Sequence, residues 1–169
     1  GPQSVPMNLT TDVPLARDLL AALRSQGLRV EGLQGFSDSQ PLPISWGEIL
    51  PMSYLAASKK GNSTPPVVVL GMMSLSWSWA RFNHSAEMVD ELVLLGKALG
   101  RMLERRSERV VWVVSSDLAH THLASGPYGF CPCAQPFDDA VQRWAQDGNS
   151  SALLDEAALQ QRLGAASCG

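Results

Sequence analysis

The sequence has few charged residues, no strongly basic region and no long apolar run. Charged residues make up 17% of its 169 positions, below the quarter or so that soluble proteins usually carry, so much of the surface must be neutral or covered. The net charge of −3 gives no basic footprint for nucleic acid. Because no apolar run approaches the roughly 20 residues that span a bilayer, and the start lacks a signal-peptide pattern, we expect a cytoplasmic protein that binds neither nucleic acid nor membrane.

Cysteine is also scarce, with Cys131, Cys133 and Cys168 as the only three. An odd, small number is typical of a reducing compartment and does not predict a disulfide framework. The first two could form a zinc site with His120 and His122, although one intervening residue is fewer than the roughly two to four usual in structural zinc sites. The alternative is that the two thiols form a small apolar pair under a loop.

The apolar pattern alternates between helical and strand-like segments. Helical spacing predicts helices over residues 12–26, 45–57, 85–105, 135–146 and 152–163. Short apolar runs predict strands over residues 28–30, 67–72 and 110–114. Strands that alternate with helices predict an α/β fold, with a mainly parallel sheet covered by helices on both faces. We expect a single domain over residues 10–169, preceded by residues 1–9 as an extended segment or the remnant of an expression tag.

The segment Arg109–Phe130 joins the strongest strand signal to a set of polar side chains. Val110–Val114 is the type of β-branched run that forms a fully buried strand, and active-site residues collect beyond the carboxyl ends of such strands. His120 would stand there as a general acid or base, with Asp117 to orient it. The alternative is a histidine that ties the loop to backbone carbonyls. We expect His122 to be a surface residue.

Several short motifs occur in an order that is found in one family. Residues 113–120 read VVSSDLAH and are followed by Gly126-Pro127-Tyr128-Gly129, while upstream residues 45–52 read SWGEILPM and residues 95–99 read LGKAL. Together they resemble the LigB-type catalytic subunit of class III extradiol ring-cleavage dioxygenases, to which Memo-type proteins are similar. The resemblance covers residues 10–165.

The resemblance implies a chemistry as well as a fold. Active members of the family hold a non-haem Fe(II) between two histidines and a glutamate, and they insert both atoms of O2 into a catechol-like ring. His120 matches the acid/base histidine of the family, with Asp117 beside it. The resemblance also assigns a pocket for a small aromatic substrate to Ser115, Ser116, Tyr128 and Trp46.

The metal ligands of the family are not matched in this sequence. The iron-binding histidines of the family belong to a part that precedes residue 10, and residues 1–9 contain no histidine. Ser45 and Trp46 stand where the family has an Asp-His pair, and Glu156 is the nearest late acid without aligning to the glutamate ligand. Of the expected catalytic positions, only His120 is filled.

Three functions stay open from the sequence. The first is a LigB-like domain that lacks a complete Fe(II) site and acts as a non-catalytic or partner-dependent module. The second is an active Fe(II)-dependent dioxygenase whose ligands are supplied elsewhere, and the third is a His120-based hydrolase or zinc-binding protein. A LigB-like domain without its first strand and helix leaves an apolar face uncovered, so we also expect a homo-oligomer or a partner subunit.

Overall fold

The computed structural model describes residues 7–33, 42–57, 64–71 and 88–167. These ranges hold helices α1 (Val13–Ser25), α2 (Trp46–Ala57), α3 (Val89–Leu103), α4 (Ala134–Asp147) and α5 (Ala158–Leu163), the last directly preceded by a π-helical segment, Ala152–Ala157. The chain divides into two compact units, one made of residues 1–71 and 95–115 and the other of residues 72–94 and 116–169.

The predicted α/β fold is wrong. In the described ranges the chain is helical, with no β-strand and therefore no parallel sheet. Pairing of β type is limited there to two isolated bridges, a parallel one between Thr11 and Val67 and an antiparallel one between His122 and Phe130. The predicted strands at residues 28–30 and 110–114 are absent. Residues 67–71 of the other predicted strand do not form a strand either, and Met72 lies outside the described residues.

The valine-rich run Val110–Val114 shows why the sheet prediction failed. The run was expected to be fully buried, yet Val111 is 75% exposed and Trp112 is 51% exposed. A β-branched run favours an extended backbone, but a strand forms only where a neighbouring segment pairs with it. Periodicity along one segment does not specify that neighbour.

The helix predictions are confirmed within the described ranges, because the signals for helices are local. The Asp12 side chain caps α1 by accepting the Leu15 N–H at 3.0 Å, and Pro14 lies in its first turn. Pro51 lies inside α2, which continues through it from Trp46 to Ala57. Residues 85–87 of the third predicted helix lie outside the described residues, and the last predicted helix starts as a π-helix.

The first unit is held by a small leucine-rich core. Leu23 of α1 is 2% exposed, and it clusters with Leu95, Ala98 and Leu99 of α3. These α3 positions follow the i, i+3, i+4 spacing that places side chains on one helix face. The packing of one helix face against another therefore stabilises this unit.

The second unit has a core made mostly of alanine. Phe137 and Ala140 of α4 are buried with Ala157 at the end of the π-helical segment and with Ala119 and Ala165 from the flanking loops. Small side chains let neighbouring backbones approach closely, so little space is left for a larger residue. At the far end of α4, Gly148 takes a φ of 66°, a left-handed conformation that costs a residue with a Cβ about 1–2 kcal/mol.

Glu48 reaches back to Ser45 at the start of α2. The Glu48 carboxylate accepts the backbone N–H of Ser45 at 2.8 Å and its hydroxyl at 2.7 Å. The first of these contacts is the acid half of a capping box, whereas the serine hydroxyl donates to the carboxylate and does not accept a helix N–H. The hydroxyl hydrogen bond holds the pKa of Glu48 below its usual value, while partial burial acts in the opposite direction.

We predict that α2 loses stability as the pH falls below about 4. A carboxyl group whose pKa is depressed by folding stabilises the folded state above its unfolded pKa, and this contribution is lost as the pH falls through the lower folded value. The Glu48→Gln variant should lack this pH dependence, and Ser45→Ala, which removes the hydroxyl hydrogen bond, should cost about 0.5–1.5 kcal/mol. Amide hydrogen exchange across α2 from pH 3 to 7 measures both effects. Glu104→Gln is the matched control and should behave as the wild type.

Candidate functional site

The candidate site lies on the loop that leads into α4. Residues 121–122 run beside residues 130–131, joined by the His122–Phe130 bridge and by a hydrogen bond from Cys131 N–H to the Thr121 carbonyl at 2.9 Å. Between them, Gly129 turns the chain with a φ of 74°, which favours glycine. The loop is thereby closed at its base.

His120 and Asp117 form a hydrogen-bonded pair on this loop. Nε2 of His120 lies 3.1 Å from Oδ2 of Asp117, and the two side chains are 25% and 36% exposed. The His120 backbone N–H also donates to the Ala166 carbonyl at 2.7 Å, which anchors the residue to the C-terminal segment. An ionised carboxylate only accepts hydrogen bonds, so a neutral His120 donates its Nε2–H and keeps its lone pair on Nδ1. Nδ1 has no hydrogen-bond partner among the described residues.

Tyr128 lies against the His120 ring. The two ring centroids are 4.8 Å apart with planes at 81°, an edge-to-face arrangement. Aromatic contacts of this kind contribute about 0.5–1.5 kcal/mol beyond area burial. The imidazole is thus oriented from two sides, by a carboxylate and by an aromatic ring.

His122 is exposed on the loop, as expected of a surface residue, and it is also held by a carboxylate of α4. Although its side chain is 40% exposed, Nε2 of His122 lies 2.9 Å from Oδ2 of Asp138, whose own side chain is 16% exposed. The other Asp138 oxygen accepts the Ala119 N–H at 2.8 Å. One carboxylate on α4 therefore holds the loop on both sides of His120.

The predicted pocket residues are brought together only in part. Tyr128 contacts His120, and Ser116 is exposed in the same unit. Ser115 and Trp46 belong to the other unit, where Ser115 is exposed and Trp46 begins α2. The side chain of Trp46 lies outside the described residues.

The described residues do not fit a metal ion. Across residues 7–33, 42–57, 64–71 and 88–167, no three side chains of histidine, cysteine, aspartate or glutamate come together at a possible metal site. A non-haem Fe(II) needs two histidines and a carboxylate on one face. His120 and His122 are instead each engaged by a different carboxylate.

The two cysteines beside the site are joined by a disulfide. Cys131 and Cys133 are bonded, with their Cα atoms 5.1 Å apart. The bond removes both thiols from the zinc ligand set considered from the sequence. It closes a loop of three residues, for which the chain-entropy model gives only roughly 1.6 kcal/mol of stabilisation, against roughly 3 for a 15-residue loop.

Sequence reasoning missed Asp138 as part of the site. The residue is 16 positions from His122, and the contact exists only because the loop closes and α4 begins in this register. The one signal that could have pointed to it is its place as the first acid of the helix that follows the loop. The pairing of His120 with Asp117 could be predicted from the sequence, because the two residues are three positions apart.

Comparison with curated proteins shows a relative of unassigned activity. Protein CA_C1420 of Clostridium acetobutylicum is 34% identical to this chain over 117 residues, which cover 63% of this chain. The match takes in 25% of that protein, so the chain spans about a quarter of its length. No family model matches the chain, and no solved structure matches it.

Within the described part of the chain, no helix is both long enough and apolar enough to cross a membrane.

Proposed function

We propose that this chain is a partner-dependent module of the LigB-like type, in which His120 accepts a proton from a hydroxyl of a small catechol-like ligand. In this proposal the chain works in the cytoplasm and supplies the acid/base group. Any Fe(II) is supplied by residues other than those described. The observation that carries the proposal is the His120–Asp117 pair, with its partly exposed imidazole and an Nδ1 that no described residue hydrogen-bonds.

The geometry of the pair supports proton transfer. When a phenolic hydroxyl donates to Nδ1 of His120, the proton that arrives creates an imidazolium next to the Asp117 carboxylate. The carboxylate stabilises that positive charge, as the aspartate of a catalytic triad does. A positioned histidine of this kind typically contributes about 10²–10⁴-fold to a reaction rate.

Tyr128 supports an aromatic ligand. Its ring lies edge-on to His120, so a second aromatic ring that approaches the imidazole meets a surface that is partly apolar. Rings pack favourably in such offset and edge-to-face arrangements. A catechol combines the two properties that the site would recognise, a flat ring and an acidic hydroxyl.

The exposed run Val110–Val114 supports dependence on a partner. All five residues are at least 40% exposed, although they form an uninterrupted apolar run. Contiguous exposed apolar surface on a soluble protein marks an interaction site. A second copy of the chain or a partner subunit would cover this surface.

The other functions lack a supporting observation. A His120-based hydrolase needs a nucleophile within hydrogen-bond reach of the imidazole, and no described hydroxyl or thiol group is hydrogen-bonded to the His120 ring. A zinc site would need the thiols of Cys131 and Cys133, which are bonded to each other. The described residues do not fit Fe(II), and the proposed proton transfer does not require it.

The test of partner dependence is iron loading of the chain alone. We expect the purified chain, incubated with Fe(II) under nitrogen and desalted, to retain substoichiometric iron by elemental analysis and to take up no oxygen with 4-nitrocatechol. The reason is that two histidines held by separate carboxylates cannot form an iron-binding face. One retained iron per chain, together with oxygen uptake, would show a complete dioxygenase and contradict the proposal.

A further inference from the structure

The disulfide Cys131–Cys133 takes no part in the proposed proton transfer. We propose that it is a redox-active pair that exchanges electrons with external dithiols. Its Cα atoms are 5.1 Å apart, within the range that a disulfide bridges. Because the bond closes a loop of only three residues, it constrains the unfolded chain little and contributes little to stability. Where thiols are kept reduced, disulfides are usually catalytic or redox-sensing.

The two sulfurs differ in access. Cys133 is 5% exposed and belongs to the core of the second unit, whereas Cys131 is half-buried at the surface. Because the Cys133 sulfur lies in the core and Cys131 is partly exposed, an incoming thiolate reaches Cys131 first.

The start of α4 stabilises a thiolate on Cys131. Cys133 is the N-cap of this helix, and its backbone N–H donates to Cys131 Sγ at 3.2 Å. Unpaired N–H groups and the helix dipole also favour negative charge at this end. Cysteines in such places are the ones that exchange readily. Cys131 is thus both the more accessible sulfur and the one whose thiolate is stabilised when the second exchange step releases it.

Reduction of the pair proceeds by two exchange steps. One thiolate of the external dithiol bonds to Cys131 Sγ, the Cys131–Cys133 bond breaks, and Cys133 leaves as a thiolate that takes up a proton. The second thiolate of the dithiol then bonds to the first sulfur of the same molecule and releases Cys131, which also takes up a proton. Two electrons and two protons pass to the pair, and the dithiol becomes a disulfide.

The experiment uses the full chain with the third cysteine removed by Cys168→Ser. In this background, Cys133→Ser leaves Cys131 as the only thiol, and Cys131→Ser leaves Cys133. We expect glutathione disulfide to modify the first variant at least about tenfold faster than the second, measured by mass spectrometry under native conditions. Equal rates in the two folded variants would overturn the proposal.

The Cys168→Ser parent provides a measurement that does not depend on how the two single-thiol variants fold. Its oxidised form should yield a peptide that contains both Cys131 and Cys133 with a disulfide between them. Dithiothreitol should reduce this disulfide completely without unfolding the protein. Glutathione added in short pulses should be captured as a mixed disulfide on Cys131. A linked peptide that resists dithiothreitol until the chain is unfolded, or the absence of a linked peptide, would overturn the proposal.

Discussion

Replacing Asp138 with alanine is expected to lower the free energy of unfolding by roughly 2–4 kcal/mol. The carboxylate accepts the Ala119 N–H at 2.8 Å and pairs with His122 at 2.9 Å. Ala119 is itself buried at 8% exposure, so its amide would be left without an acceptor and away from water. A loss of this size corresponds to a fall in melting temperature of roughly 5–15 °C for a chain of this length.

One variant separates the contacts of Asp138 from its charge, and a second variant is the control. Asp138→Asn keeps an oxygen for the Ala119 N–H and should cost about 1 kcal/mol. Asp139→Ala is the matched control, because the next residue of α4 is exposed and hydrogen-bonded only to Gln135 among the described contacts; it should change stability by less than about 0.5 kcal/mol. Thermal unfolding followed by circular dichroism measures all three. Asp138→Ala and Asp139→Ala melting at the same temperature would contradict the role of Asp138.

Replacing His120 with glutamine is expected to abolish ionisation of a bound catechol. The glutamine amide can still donate a hydrogen bond to Asp117, but it cannot take up a proton. With 4-nitrocatechol, whose absorbance changes on loss of the hydroxyl proton, the wild type should bind the anion at a pH where the free compound is largely neutral. His120→Gln should show no such change. In a complex that supplies the metal, turnover should fall about 10²–10⁴-fold.

The neighbouring histidine provides the control for this experiment. His122→Gln removes a second imidazole from the same loop, but that imidazole pairs with Asp138 on α4 and is not the ring that Tyr128 contacts. The variant should retain the absorbance change. A spectrum of bound 4-nitrocatechol that is the same in His120→Gln and the wild type would contradict the assignment of the acid/base group.

The helices could be predicted from the sequence because their determinants lie within a few residues of one another. Asp12 caps α1 through Leu15, three residues away, and Leu95, Ala98 and Leu99 mark one face of α3 within a single turn. Such spacing is visible in the sequence without knowledge of the rest of the chain. The absence of a sheet could not be predicted in this way. Val110–Val114 has the composition of a strand, but the segment itself does not specify whether another segment pairs with it.

The candidate site also combines contacts that the sequence could predict with contacts that it could not. His120 and Asp117 are three residues apart, and their pairing follows from local chain geometry. Asp138 and the Cys131–Cys133 bond become neighbours of the histidines only when the loop closes through the His122–Phe130 bridge. The sequence therefore predicted the pairing of His120 with Asp117, but not the carboxylate that holds the loop or the bond between the cysteines.

The most direct test of the central claim is the protonation state of His120 observed by NMR. In the ¹⁵N-labelled chain, at a pH where the His120 ring is neutral, a long-range ¹H–¹⁵N spectrum should show its proton on Nε2 and an unprotonated Nδ1. Saturating 4-nitrocatechol, whose hydroxyl is more acidic than that of catechol, should move both nitrogens towards the shifts of an imidazolium. If the neutral ring carries its proton on Nδ1, or if its nitrogen shifts do not change when 4-nitrocatechol is added, His120 is not the acid/base group.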